Sequence, residues 1–234
     1  MMKAQTFRDK VKKWLASEKA KLEGKTTAQK VQYVIGYYWI PILAAAFGIG
    51  FLIFAVYRMN FVPHENWLYG YFVNTMGPGG NRSELWNDFE EYAGYDLKEK
   101  NLEFNASVWF DPSKPGGTNN SYFQSFVAVT EAGTLDFVTM EKEGLAELGR
   151  SGRLLDLNSE SAAPIRGKYE DRFVTCIPYD EEYSTDPVPV GIDLSDSLLV
   201  SKYHLYDGSC VLGIGAYSSN LESVEKFLEF VLGE

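Results

Sequence analysis

The chain holds 234 residues, 45% of them hydrophobic, with two cysteines and a net charge of −10. At the usual ~100–200 residues per domain, that length excludes a peptide and a many-domain protein, and fits one membrane segment with one globular domain. Residues 1–61 carry ten Lys/Arg and three Asp/Glu, a charge of +7, whereas residues 62–234 carry twelve and 29, a charge of −17. Such an acidic body repels a phosphate backbone, so nucleic acid is not its expected partner, and the head and body suit two different environments.

In chain order, Phe7–Leu22 reads as a helix. Phe7, Val11, Trp14, Leu15 and Leu22 recur at three- and four-residue steps, with Lys10, Lys12, Lys13, Lys19 and Lys21 between them. The pattern suits an amphipathic helix on an anionic inner leaflet; a docking helix for a cytoplasmic partner and a plain solvated basic helix fit it as well. Ile35–Tyr57 then runs 23 residues without a charge. As a helix at ~1.5 Å per residue it crosses a hydrocarbon core of about 30 Å. Tyr37, Tyr38 and Trp39 mark one end and Tyr57 the other, as aromatic belts do. Pro41 is placed by this reading in the first turns, where its missing donor costs least. Ala44 and Gly48 form a small-xxx-small pair able to meet another membrane helix.

The apolar core is too long, and its preceding region too extended, for a cleaved signal peptide. No cysteine precedes Cys176, so no lipid-bearing cysteine follows the segment. Nine Lys/Arg lie before it and only Arg58 follows closely, which places the N-terminus in the cytoplasm. The divisions are therefore residues 1–34, a cytoplasmic basic amphipathic segment; 35–57, a transmembrane signal-anchor; 58–68, a linker; and 69–234, an extracytoplasmic domain.

In that domain strand-like and helix-like stretches alternate, which predicts βαβ units and a largely parallel sheet. Tyr69–Thr75 is a strand, Met76–Arg82 a Gly/Pro-rich loop, and Ser83 caps a helix ending at Gly94. Leu102–Phe110 is a strand, 111–120 a loop, Tyr122–Ala132 a helix stopped by Gly133, and Leu135–Met140 a short buried strand. Gly144–Arg150 is a helix ending near Gly152, followed by Leu154–Leu157. Residues 158–187 are polar and poorly periodic. Val188–Asp193 and Ser209–Tyr217 read as strands, and Leu221–Leu232 as a closing helix capped by Asn220.

The order of WNDFEEYAGYD, LEFNASVWF, YFQSFVAVTEAGTLDFVTM and EGLAELGRSGRLLDLN resembles the first lobe of bacterial extracellular solute-binding proteins. Phe89, Glu90, Gly94, Ala132, Gly133, Asp136, Ser151, Gly152, Leu154, Leu155, Asp156 and Leu157 carry the likeness, over roughly 69–158. It implies an α/β, single-lobe periplasmic-binding-protein-like sheet with flanking helices, on the surface of a bacterium with a single membrane. Only about 75 residues follow Asn158, enough to complete one lobe and not to build a second.

Catalytic material is sparse. His64 sits just past the membrane segment; His204, with Asp207 nearby, offers a conceivable general base for a hydrolase, and an ordinary turn histidine is the plainer reading. HExxH, CxxC, P-loop and GxSxG patterns are absent, so no cofactor or metal is expected. The carboxylates Asp180, Glu181, Glu182 and Asp186 suit calcium in kind but match no EF-hand spacing. Sequons at Asn81, Asn105 and Asn119 matter only in a eukaryote. A small-molecule ligand, if bound, is expected where α/β sheets hold them, outside the strand carboxyl ends: at Asn81 in the glycine-rich loop, at Trp109 and Asp111, and at Met140 and Glu141. Cys176 and Cys210 either stay free or close a loop worth ~3–4 kcal/mol in an oxidising compartment.

These features lead to a membrane-anchored binding or interaction module, an accessory subunit or sensor of a transporter-type membrane complex. The alternative is a solute receptor whose cleft a partner or second copy completes. A hydrolase comes last.

Overall fold

The computed structural model describes the backbone of residues 2–233 and the side chains of 8–59 and 61–233. It divides into two compact units, residues 1–62 and 63–234. That boundary falls inside the expected linker.

The first unit is two helices, α1 (Met2–Leu22) and α2 (Thr27–Phe61). The Phe7 side chain lies outside the described residues; Val11, Trp14 and Leu15 of α1 are exposed. α1 folds back on the start of α2: the Trp14 and Tyr38 rings meet edge-on at 6.2 Å, and the Tyr33 hydroxyl donates to Glu18 at 3.1 Å. A reciprocal capping box, Thr26 with Gln29, starts α2 and satisfies two orphan donors. The helix therefore begins eight residues before the apolar run, and Pro41 is interior rather than in the first turns. Its ring removes one i→i−4 bond, a defect that spanning helices tolerate. α2 contains one segment, Thr27–Met59, long and apolar enough to cross a membrane, and its apolar window is nowhere buried.

The second unit is an α/β sandwich. Its strands are β1 (Asn66–Val73), β2 (Asn101–Val108), β3 (Phe137–Met140), β4 (Phe173–Cys176), β5 (Val188–Asp193) and β6 (Val211–Ile214), in the order β2-β1-β3-β6-β5-β4. Its helices are α3 (Glu84–Ala93), α4 (Ser121–Glu131), α5 (Lys142–Arg150), α6 (Ala163–Tyr169), α7 (Leu198–Ser201) and α8 (Leu221–Leu232). The first three strands are parallel, with β1 central, and arise from two βαβ crossovers. The last three pair antiparallel, so the sheet is mixed rather than largely parallel. The polar stretch 158–187 supplies α6, a 3-10 turn at Glu170–Arg172 and the edge strand β4. Leu154–Leu157 forms no strand but runs beside the end of β6, through a Leu154–Gly215 bridge and a bond from Leu155 N–H to the Ile214 carbonyl at 2.9 Å.

Two cores flank the sheet. On one face Leu68, Phe72, Phe104 and Phe137 pack with α3 and α8. The Phe137 and Phe227 rings stack there at 4.6 Å. Gly70 is required at this face, since a Cβ would lie 2.1 Å from the Phe137 ring. On the other face Tyr71, Val138 and Val190 pack with Phe126 of α4 and Leu145 and Leu148 of α5. Cys210 belongs to the first core and Cys176 to the second, and both thiols are free. β5 lies between them: Cys176 ends β4 opposite Val188, whereas Cys210 precedes β6 and bonds Leu194 just past the other end of β5, so they are beyond the ~7 Å reach of a disulfide. The pairing entertained from sequence is not formed.

Ser83 and Gly94 cap α3 as the sequence predicts, Gly94 at φ 66°. Asn220 does not cap α8 with its side chain. Its amide instead donates to both carboxylate oxygens of Asp136 at 3.2 Å.

Candidate functional site

Strand order 2-1-3 creates a topological switch point at the carboxyl ends of β1 and β3, the usual ligand crevice of doubly wound sheets. In this protein the chain itself fills it. Between α7 and β6, Tyr206 inserts against the strand ends, 5% exposed, and its hydroxyl donates to the Thr139 carbonyl at 2.9 Å and also meets Thr139 Oγ1 at 2.9 Å. Burial pushes this phenol well above its usual range. The β1–α3 loop leans on the plug: Met76 N–H donates to the Leu205 carbonyl at 3.0 Å.

The five expected site residues share this edge but not one cavity. Asn81 and Trp109 line a hollow of about 500 Å³ over the end of β2. Asn81 is spent on the sheet: its side-chain Oδ1 accepts from Phe104 N–H at 2.7 Å while its backbone N–H donates to the Phe104 carbonyl at 3.0 Å, clasping the free edge of β2. Asp111 closes a turn on Ser113 and pairs with Lys114 at 2.7 Å. Burial raises its carboxyl, but the Lys114 and Ser113 bonds outweigh it and hold the group below its ordinary value. Met140 is buried, 1% exposed, under α5. Glu141 is exposed at the N-cap of α5 and makes no side-chain cap bond. Asn74, unforeseen, does more here than any of them: at φ 58° its amide spans to both Phe110 N and O and ties the end of β1 to β2. An Asn able to enter the left-handed region after a strand was the signal available in the sequence.

His204 sits at φ 50°, its Nδ1 3.1 Å from the Val200 carbonyl at the end of α7. Among the described residues no hydrogen bond joins it to Asp207, and no cluster of three or more His, Cys, Asp or Glu is placed to hold a metal.

The better-formed cavity lies at the opposite edge, where β4 and β6 end and β5 begins. It encloses about 450 Å³. Val188, Val190 and Leu154 form an apolar floor under the C-terminus of α5. Gly149 lets the helix descend to that floor, since a Cβ there would meet Val190 at 2.6 Å and Cys176 Sγ at 2.9 Å. The β4–β5 loop brings Tyr179 and Tyr183 to the walls, and the β6–α8 loop brings Tyr217. Tyr183 OH donates to Asp156 Oδ2 at 2.8 Å, and Tyr179 OH to Glu147. These bonds to carboxylates raise both phenols, which stay neutral donors. Asp180 turns its Oδ1 onto Glu182 N–H at 3.0 Å. Sequence reasoning missed this site because its walls lie in a stretch without periodicity; the tyrosines within an acidic loop were the available signal.

Behind the cavity, Asp136 is 1% exposed and ties the amino end of the sheet together. It accepts from Tyr69 N–H at 2.8 Å and Ser218 Oγ at 2.7 Å, besides Asn220. Burial raises its carboxyl, and these three donors offset part of the rise.

Comparison with protein family models, curated proteins and solved structures finds no match.

Proposed function

We propose that this protein is a membrane-anchored binding module, its acidic α/β unit held outside the cell by α2 as an accessory subunit or sensor of a membrane complex. The observation that carries the reading is α2, a 35-residue helix whose apolar window is unburied throughout. An unburied apolar surface of that size has no place in water. The Lys/Arg bias across it, nine before Ile35 and only Arg58 between Tyr57 and Arg82, supports a cytoplasmic N-terminus.

The resemblance to one solute-binding lobe supports the role of the outer unit. Its 2-1-3 strand order is a doubly wound order compatible with such a lobe. Everything after Asn158 is spent on closing the same sheet through β4, β5, β6 and α8.

The test has two arms. Protease added to intact cells should remove residues 63–234 and spare a basic fragment that resists alkaline extraction from membranes. Full protection of the acidic unit would sink the topology. Crosslinked full-length protein should then capture membrane proteins that a form ending at residue 62 does not; identical capture by both would end the subunit role.

A further inference from the structure

We propose that the tyrosine-walled cavity between α5, the β4–β5 loop and the β6–α8 loop binds a small organic ammonium ion. The inference rests on the reading of residues 63–234 as a binding module and names its ligand class.

Three observations point to a cation. The first is the rings. Tyr179, Tyr183 and Tyr217 are 64%, 60% and 65% exposed although all three line a concave site. Large aromatic residues kept in water around a cavity present π-faces, which carry negative potential and attract alkylammonium groups. Two of the three are held in place by bonds from their hydroxyls to carboxylates.

The second is the charge. Asp156 and Asp180 line the cavity. The basic lining residue, Arg150, already has a counter-charge in Glu147 at 3.6 Å. An anionic ligand would meet two carboxylates.

The third is the floor. Val188, Val190 and Leu154 give methyl groups a dry surface, which suits an ammonium bearing alkyl substituents better than a hydrated metal ion. A volume of about 450 Å³ falls within the range of ~300–1,000 Å³ usual for small-ligand sites.

The experiment uses the full chain in non-ionic detergent and titrates choline by calorimetry, with 3,3-dimethylbutan-1-ol as its uncharged isostere. Choline should bind, the isostere at least tenfold more weakly. Tyr217→Ala and Asp156→Asn, both changing residues at the cavity wall, should each weaken choline at least fivefold. Tyr183→Phe keeps the ring and should weaken it less. Glycerophosphocholine separates the sources of such a group: tighter binding than choline assigns the ammonium to a lipid headgroup, weaker binding to a free solute, and either retains the ammonium site. No binding of choline by folded protein, equal binding of the isostere, or unchanged affinity in both Tyr217→Ala and Asp156→Asn would overturn the proposal. Failure here leaves the membrane-topology and capture results standing, so the two readings fall separately.

Discussion

The two ends of the sheet treat tyrosine in opposite ways. At the carboxyl ends of β1 and β3, Tyr206 is buried and hydrogen-bonded into the strand, filling the crevice that a doubly wound order would leave. At the other end, Tyr179, Tyr183 and Tyr217 stand around a cavity with most of their surface in water. The difference teaches that strand order locates a crevice, while the connections decide whether it stays open. Here the α7–β6 connection closes one edge and the β4–β5 loop builds a site at the other.

The sharpest way to break this contrast is to unplug the carboxyl edge. Tyr206→Ala should cost about 3–5 kcal/mol, the range for deleting a buried aromatic ring. Chemical denaturation checks it, and phenol should restore part of the lost stability by filling the void. A cost under 1 kcal/mol would mean that the ring is no plug.

Asp136 comes next, because it fixes the amino ends of the strands from which the other edge is built. Asp136→Asn keeps the shape but faces three donor groups with one acceptor, and should cost about 1–3 kcal/mol. Its pH dependence has a definite sign. Burial raises the folded carboxyl above its unfolded value near 3.9, so the protonated form is favoured in the fold. The stability this group contributes is complete below that unfolded value and is lost as pH rises through the folded one. The deficit of Asp136→Asn should therefore be largest near pH 4 and shrink toward pH 7, read as the difference in Tm. A deficit that grows with pH would reverse the assignment.

These two residues also show what sequence reasoning reaches. Local signals reach far: Ser83 and Gly94 bracket α3, and the 3.6-residue spacing of Val224, Phe227, Leu228 and Val231 marks α8. Such caps and stripes act within one element, so neighbours in sequence carry them. Asp136 is different, since the groups that donate to its carboxylate sit 67 to 84 positions away. β4 is four residues, FVTC, in a polar stretch, too short for alternation to register. Strand direction is equally silent, because a buried strand reads the same whether its neighbour runs parallel or antiparallel, and the expected parallel sheet proved half antiparallel. Asn220 reads as a helix cap by position, yet a buried carboxylate across the fold is the stronger claim on its amide.

Asn81 offers a smaller test at the carboxyl edge. Expected as a ligand contact, it clasps β2 instead. Asn81→Ala should lose the side-chain bond to Phe104 and cost about 1 kcal/mol. Hydrogen exchange at Phe104 should rise while Leu68, in the protected core, is unchanged. Exchange at Phe104 that stays slow would return Asn81 to the list of free, ligand-facing groups.

The smallest effect is the most telling for the comparison. Tyr217 is mostly exposed, and exposed substitutions away from caps and buried networks usually stay within about 0.5 kcal/mol. Tyr217→Ala should therefore leave Tm unchanged, against the several kcal/mol expected at Tyr206. A tyrosine that adds nothing to stability, at the mouth of an apolar-floored cavity and beside carboxylates, has its reason outside the fold. A large stability loss at Tyr217 would instead make it a second structural plug, and the two ends of the sheet would then be alike.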